Sequence, residues 1–243
     1  MNAAAAMQTP AERLRAVRAA VPGRLVFTTS LGLEDQFVTF LIHEQGLDVD
    51  LVTLDTGRLF PETYMLWGET EARYGLRIHA MAPDAPALEA LVERNGIDGF
   101  YASLANRHAC CGVRKVEPLN RALAGAAGWV TGLRAQQSAE RAAVAFIEAD
   151  ATRGLVKINP LYDWNRDQLL AAIAAYDVPV NRLHAQGFAS IGCAPCTRAI
   201  KPGEPERAGR WWWEDADHRE CGLHIDDDGR VTRAPSPRAE AFS

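Results

Sequence analysis

Short apolar runs alternate with longer amphipathic stretches along most of the chain. Residues 24–29 (RLVFTT) form a continuous apolar and β-branched run that predicts a buried strand, and 33–45 carry the spacing of a helix. Residues 49–55 (VDLVTLD) predict a second strand, and 61–74 a helix that opens on a proline, whose fixed φ and missing N–H suit the first helical position. A third strand at 76–80 and helix at 85–95 follow, then strands at 129–133 and 155–158 and a last strong helix at 166–176. Strand–helix alternation of this kind predicts an α/β fold: a mostly parallel sheet with helices on both faces. Such sheets take ligands at the carboxyl ends of their strands, near the point where strand order reverses.

The pattern fades after about Cys196. Residues 201–206 (KPGEPE) are rich in Pro and Gly and no periodic apolar pattern resumes, so the expected organisation is one α/β domain over 1–200 and a C-terminal tail with a mobile stretch over 201–243.

Composition adds boundaries. At 243 residues, 48% hydrophobic and 23% charged, the chain reads as ordinary globular protein. A formal net charge of −5 offers no overall footprint for nucleic acid or an anionic membrane, so any anion site must be a local basic cluster. No apolar run approaches the ~20 residues of a membrane span. Residues 11–20 carry Arg13, Arg15 and Arg18, but Glu12 interrupts them and serine is absent, so a first helix is expected rather than a transit peptide. Five cysteines, an odd number, argue against a secreted disulfide framework and for a cytoplasmic location.

Two strand-end loops have the makings of an anion cradle. In TTSLGLED (28–35), Ser30 and Gly32 precede a helix start whose backbone N–H groups suit phosphate or sulfate, though a Ser-capped helix with Glu34 and Asp35 in its first turn explains the same residues. In LDTGRLFPET (54–63), Asp55 ends a strand, Gly57 permits a tight turn and Arg58 is within reach of an anion; a polar turn before a proline-led helix is the plainer account.

The cysteines carry the sharper chemistry. Cys110 and Cys111 are adjacent, while Cys193 and Cys196 form C-x-x-C. Adjacent side chains diverge, which suits one small tetrahedral zinc poorly. A cubane is larger and each iron takes one thiolate, so a Cys-Cys pair spans it more easily. Zinc, and a redox C-x-x-C that leaves Cys110 and Cys111 unexplained, stay open as alternatives. Cys221 stands apart near His224, with Arg198, Lys201, Arg207 and Arg210 upstream, and positive charge favours the reactive thiolate. Between them, three consecutive tryptophans (211–213) cannot all face one core; one or more is expected to seat the tail on the domain.

Taken together, SLGLED, LDTGRLFPETY, CCGVRKVEPL, GWVTGLRAQQS, NPLYDW, GFASIGCAPCTR, ERAGRWWWE and ECGLH, in that order from Ser30 to His224, resemble the bacterial assimilatory adenylyl-sulfate reductases, the cluster-bearing branch of the sulfonucleotide reductases. The resemblance implies an adenine nucleotide α-hydrolase-like fold and a [4Fe-4S] cluster on Cys110, Cys111, Cys193 and Cys196. It implies that the Cys221 thiolate attacks the sulfur of adenylyl sulfate, releasing AMP, and that thioredoxin (or glutaredoxin) frees sulfite from the resulting S-sulfocysteine, in sulfate assimilation and cysteine biosynthesis. By motif match, Lys115, Arg134, Arg207 and Arg210 are assigned to the anions, Ser30, Gly32, Asp55, Gly57 and Arg58 to the nucleotide, and His224 to deprotonating Cys221 or orienting the tail. Lys115, four residues after Cys111, is placed to couple the cluster to the substrate anion. Leu31, Leu33 and Leu133 depart from the commonest family wording, beside the nucleotide loop and the substrate. A 3′-phosphorylated substrate and a non-catalytic metal-binding redox sensor are the alternative functions, and a homo-oligomer is compatible with both.

Overall fold

The computed structural model describes residues 9–214; Cys221 and His224 lie outside the described residues. Helix α1 (Pro10–Ala20) starts on a capping box, with Thr9 and Glu12 exchanging side-chain and backbone hydrogen bonds. Next come β1 (Leu25–Thr29), α2 (Leu33–Glu44), β2 (Asp50–Leu54), α3 (Pro61–Tyr74), β3 (His79–Met81) and α4 (Ala85–Asn95). A helical stretch without a counterpart in the expected elements succeeds them: α5 (Leu104–Cys111), a π-helical turn (Gly112–Val116) and α6 (Glu117–Leu123). The chain closes the sheet with β4 (Gly128–Val130), β5 (Ile147–Asp150) and β6 (Leu155–Ile158), and ends its regular structure with α7 (Arg166–Ala175).

The six strands run in the order β3-β2-β1-β4-β6-β5, parallel except for β5, which pairs antiparallel with β6 as an edge. Successive residues of a strand face opposite sides of a sheet, and both sides here are covered. Leu25 and Phe27 of β1 join Leu51, Val130 and Ile158 in a core shared with α1, α2, α3 and α7. Val26 of the same strand joins Val52, Trp129 and Leu155 in a separate core under Leu119, Ala122 and Leu123 of α6. Doubly covered strands read as near-continuous apolar runs, which is why LVF was legible. Observed β4 stops short of expectation, because Thr131 and Leu133 leave the sheet to line a cleft. Among the described residues no helix is long and apolar enough to cross a membrane.

Beyond the sheet the chain stays attached to it. Trp211 is 1% exposed, Thr197 bridges Arg210, and Glu214 grips the fully buried Arg107 through two hydrogen bonds of 2.8 and 2.9 Å. Residues 197–214 are therefore a strap across the domain, with Trp211 as its seat and Trp212 turned to solvent.

Candidate active site

β1 has β2 on one side and β4 on the other, and the chain reverses direction across the sheet there. At the carboxyl ends of these strands lies a cleft of about 210 Å³. Its floor is the β1–α2 turn. Asp35 accepts hydrogen bonds from both the N–H and the hydroxyl of Ser30, each 2.6 Å long, and folds the turn back on itself. Leu31 takes φ of 60°, a conformation strained for a branched side chain, and its side chain is buried. Gly32 caps α2 without a side-chain bond, leaving the first N–H groups of the helix toward the cleft.

Asp35 is itself unusual. Burial raises its carboxyl from an ordinary 3.8 to about 6, against the Ser30 bonds that pull it down. Room for the carboxylate comes from Gly132, where any Cβ would collide with Asp35. Because the folded-state value lies above the unfolded one, the folded protein holds this proton more tightly. The contribution to stability is complete below about pH 4 and is lost as pH rises through about 6. Asp35→Asn is expected to flatten the fall in unfolding free energy over that range, by on the order of 2–3 kcal/mol relative to the parent. Denaturant titrations at several pH values check this; parallel profiles for the two proteins would refute it.

Four cations line the cleft: Lys115, Arg141, Arg207 and Arg210. Arg210 is 6% exposed, makes one long bond to the Ile191 carbonyl (3.4 Å), stacks over Trp211 and has no carboxylate partner among the described residues. Its Nε is buried without an acceptor. Gly192 makes the space: a Cβ there would lie 2.5 Å from the Arg210 Cζ. A buried guanidinium without a counter-ion is costly, so the site is built to be completed by an anion.

Other expected residues are placed elsewhere. Arg134 does not line the cleft; fully buried behind it, the guanidinium bonds Glu34 at 2.8 Å and Glu206 at 3.0 Å. Asp55 accepts from the Gly57 N–H and the Tyr64 hydroxyl. Arg58 is drawn off by Asp98 at 2.6 Å and the Ile97 carbonyl at 3.1 Å, while its own carbonyl receives the Ala194 N–H of the C-x-x-C turn. The loop 55–58 thus buttresses the cysteines, and only Thr56 of it reaches the cleft. Residues that the sequence did not single out, Arg141, His184 and Glu206, stand on the cleft wall. Arg141 and His184 come from short helical turns outside the motif blocks, and Glu206 opens ERAGRWWWE, a block in which only the arginines were assigned a role.

A second, smaller cavity adjoins the first. Cys110, Cys111, Cys193 and Cys196 all line it, with Arg58, Arg107, Arg114 and Lys115. Cys110 and Cys111 end α5 where the helix widens into the π turn, a distortion frequent at functional sites. Pro118 lies just beyond; a proline ring crowds the carbonyl four residues back, here Arg114, inside the widened turn. The Thr56 hydroxyl stands 3.3 Å from Cys193 Sγ, and Arg114 holds the Thr56 carbonyl at 2.6 Å. Burial, then the nearby Cys193, pushes the Cys196 thiol up to about 12; burial also raises Cys110, against the pull of Arg114. Among the described residues no group of three or more His, Cys, Asp or Glu is placed to hold one metal ion; the four thiols share the lining of one cavity. Cys193, Lys115 and Trp211 line both cavities.

A family model for the phosphoadenosine phosphosulfate reductase domain matches residues 24–199. The chain belongs to that family. It is 57% identical over 210 residues to the adenosine 5′-phosphosulfate reductase of Sinorhizobium fredii (strain USDA 257), covering 86% of this chain and 84% of that one. The protein of the same name from Allochromatium vinosum is 55% identical over 200 residues, 82% and 78% of the two chains. Among solved structures, phosphoadenylyl-sulfate reductase from Candida auris, a phosphate complex, superposes with a TM-score of 0.68 at 31% identity over 79% of this chain and 90% of that one. FMN adenylyltransferase of Candida glabrata (TM-score 0.50, 17% identity, 87% and 74% covered) shares the fold alone. The sheet and its cleft are those of an adenine nucleotide α-hydrolase-like family member.

Proposed function

We propose that the chain reduces adenylyl sulfate to sulfite and AMP, with Cys221 as nucleophile and a dithiol protein of the thioredoxin kind as reductant. The buried, unpaired Arg210 at the sheet's switch point carries this reading: it calls for an anion where the fold seats a nucleotide. Relatives named for adenosine 5′-phosphosulfate at 55–57% identity supply the substrate class.

The chemistry balances as three displacements. Arg207, Arg210 and Lys115 bind the phosphate and sulfate oxygens, while Arg134 stays behind the cleft on Glu34 and Glu206. The Cys221 thiolate forms a bond to sulfur, the bond from sulfur to the phosphate oxygen breaks, and AMP leaves with the electron pair. His224 is assigned to the proton of Cys221. A reductant thiolate then attacks Cys221 Sγ and expels sulfite; its second thiol resolves the mixed disulfide, so the reductant supplies both electrons.

The four thiols fit a [4Fe-4S] cluster. They are soft ligands around a shared space, and the indole N–H of Trp211, buried without an acceptor on the wall of that space, suits a sulfide or thiolate sulfur. The bound cluster supplies a compact charged centre beside Lys115. The odd cysteine count and the need for reduced thiols support a cytoplasmic site of action. A 3′-phosphorylated substrate is the second reading, favoured by the Candida auris neighbour, and paired turnover measurements on the two nucleotides separate them.

Incubation with adenylyl sulfate in the absence of thioredoxin, followed by intact mass and peptide mapping, tests the mechanism. One added sulfonate on Cys221 is expected. Modification at another cysteine, or none, overturns it.

A further inference from the structure

Two carboxylates, Glu34 and Glu206, stand on the wall of the cleft proposed for a nucleotide that is anionic at both phosphate and sulfate. Unpaired acids there would repel it. Both are instead held by Arg134, whose side chain is 1% exposed: its Nε meets Glu34 at 2.8 Å and its terminal nitrogen meets the two Glu206 oxygens at 3.0 and 3.2 Å. Arg166, at the first position of α7, forms an ion pair with the same Glu206 oxygen at 2.9 Å, out of line for a hydrogen bond. One carboxylate on the strap is thus fastened by two guanidiniums from separate parts of the domain, the loop after β4 and the start of α7.

The basic turn comes directly after Glu206 in the chain. Arg207 is its neighbour, and the Arg210 N–H bonds the Arg207 carbonyl at 2.9 Å, so the two cations share one tight turn with Glu206 at its root. We infer that Glu206 is a positioning residue: pinned by Arg134 and Arg166, it aims Arg207 and Arg210 at the anionic end of the nucleotide without touching the nucleotide itself. This rests on the nucleotide reading of the cleft. Charge alone would predict the opposite role, since removing an acid from an anion site ought to tighten binding. The geometry predicts that it loosens, because the turn loses its root and Arg134 and Arg166 lose their shared partner.

The test measures binding of adenylyl sulfate, and of adenosine as an anion-free control, by calorimetry in a Cys221→Ser background that blocks turnover. Glu206→Gln is expected to weaken adenylyl sulfate about tenfold or more, as for loss of a charge-assisted anchor, and to leave adenosine unchanged. Adding Glu206→Gln to an Arg207→Ala/Arg210→Ala pair should cost little beyond that pair alone, since Glu206 acts through those two cations. Arg166→Gln, a change at a partly exposed position, should weaken adenylyl sulfate in the same direction by a smaller factor and serves where Glu206→Gln does not fold. Equal or tighter adenylyl sulfate binding by the folded variants overturns the inference, as does an equal loss of adenosine, which marks a general structural defect. A parent protein that binds neither ligand overturns the nucleotide reading as well.

Discussion

Cys193→Ser is expected to leave the purified protein without absorbance near ~400 nm and to stop sulfite release. Hydroxyl oxygen is a hard donor and a poor substitute for thiolate at iron. Serine keeps the shape and fits where the buried Cys193 side chain now contacts the Thr56 hydroxyl, so the fold should tolerate it. Position makes the effect larger than ligand loss alone. Cys193 lines the nucleotide cleft as well as the cysteine cavity, and its carbonyl receives both the Cys196 N–H and the Thr197 hydroxyl. Loss of a metal site's outer partners commonly costs ~10–100-fold in affinity or activity; a direct ligand on the shared wall should cost more. Iron and sulfide content, the visible spectrum and sulfite production check it together. A colourless variant with parental turnover would detach the cluster from function, and a brown one would remove Cys193 from the ligand set.

Gly192→Ala should raise the KM for adenylyl sulfate by ~10–100-fold while leaving colour and fold intact. The added Cβ falls inside the guanidinium of Arg210, which has to move. Overpacking ordinarily costs ~1–3 kcal/mol, but here the obstacle is the far end of a flexible side chain, so the backbone is spared and the cation is misdirected. Arg210→Ala in the same background should then add little. Steady-state kinetics and a thermal midpoint within a few degrees of the parent are the expected pair. An unchanged KM would show that Arg210 does not meet the substrate.

Legibility in the sequence depended on where each signal came from. β1, α2, β2 and α3 were legible because doubly covered strands and a proline-led helix leave local marks in LVF, VDLVTL and Pro61. The run from Leu104 to Leu123 was not. One side of it faces cavities rather than core, so polar residues and cysteines interrupt its apolar period, and Pro118 reads as a break where the structure continues through a π turn. Edge strand β5 was missed because only alternate residues of Ile147–Asp150 are shielded at all. In the site, motif matching could nominate Arg207 and Arg210 but not their direction. Arg58 comes after a strand end just as a cleft residue would, and only the tertiary partner Asp98 turns it to the other cavity. Gly132 and Gly192 matter through what they make room for, Asp35 and Arg210, and that is invisible until the loops meet.

The π turn between α5 and α6 constrains how this chain can change over generations. Each residue added to or removed from an α-helix rotates everything beyond it by about 100°. From Leu104 to Leu123 the backbone is helical without interruption, with two thiols before the widened turn and Arg114 and Lys115 within it. A single deletion there would restore ordinary winding and swing the cations away from the thiols, even with every named side chain still present. Length in this segment is therefore as much a functional character as sequence.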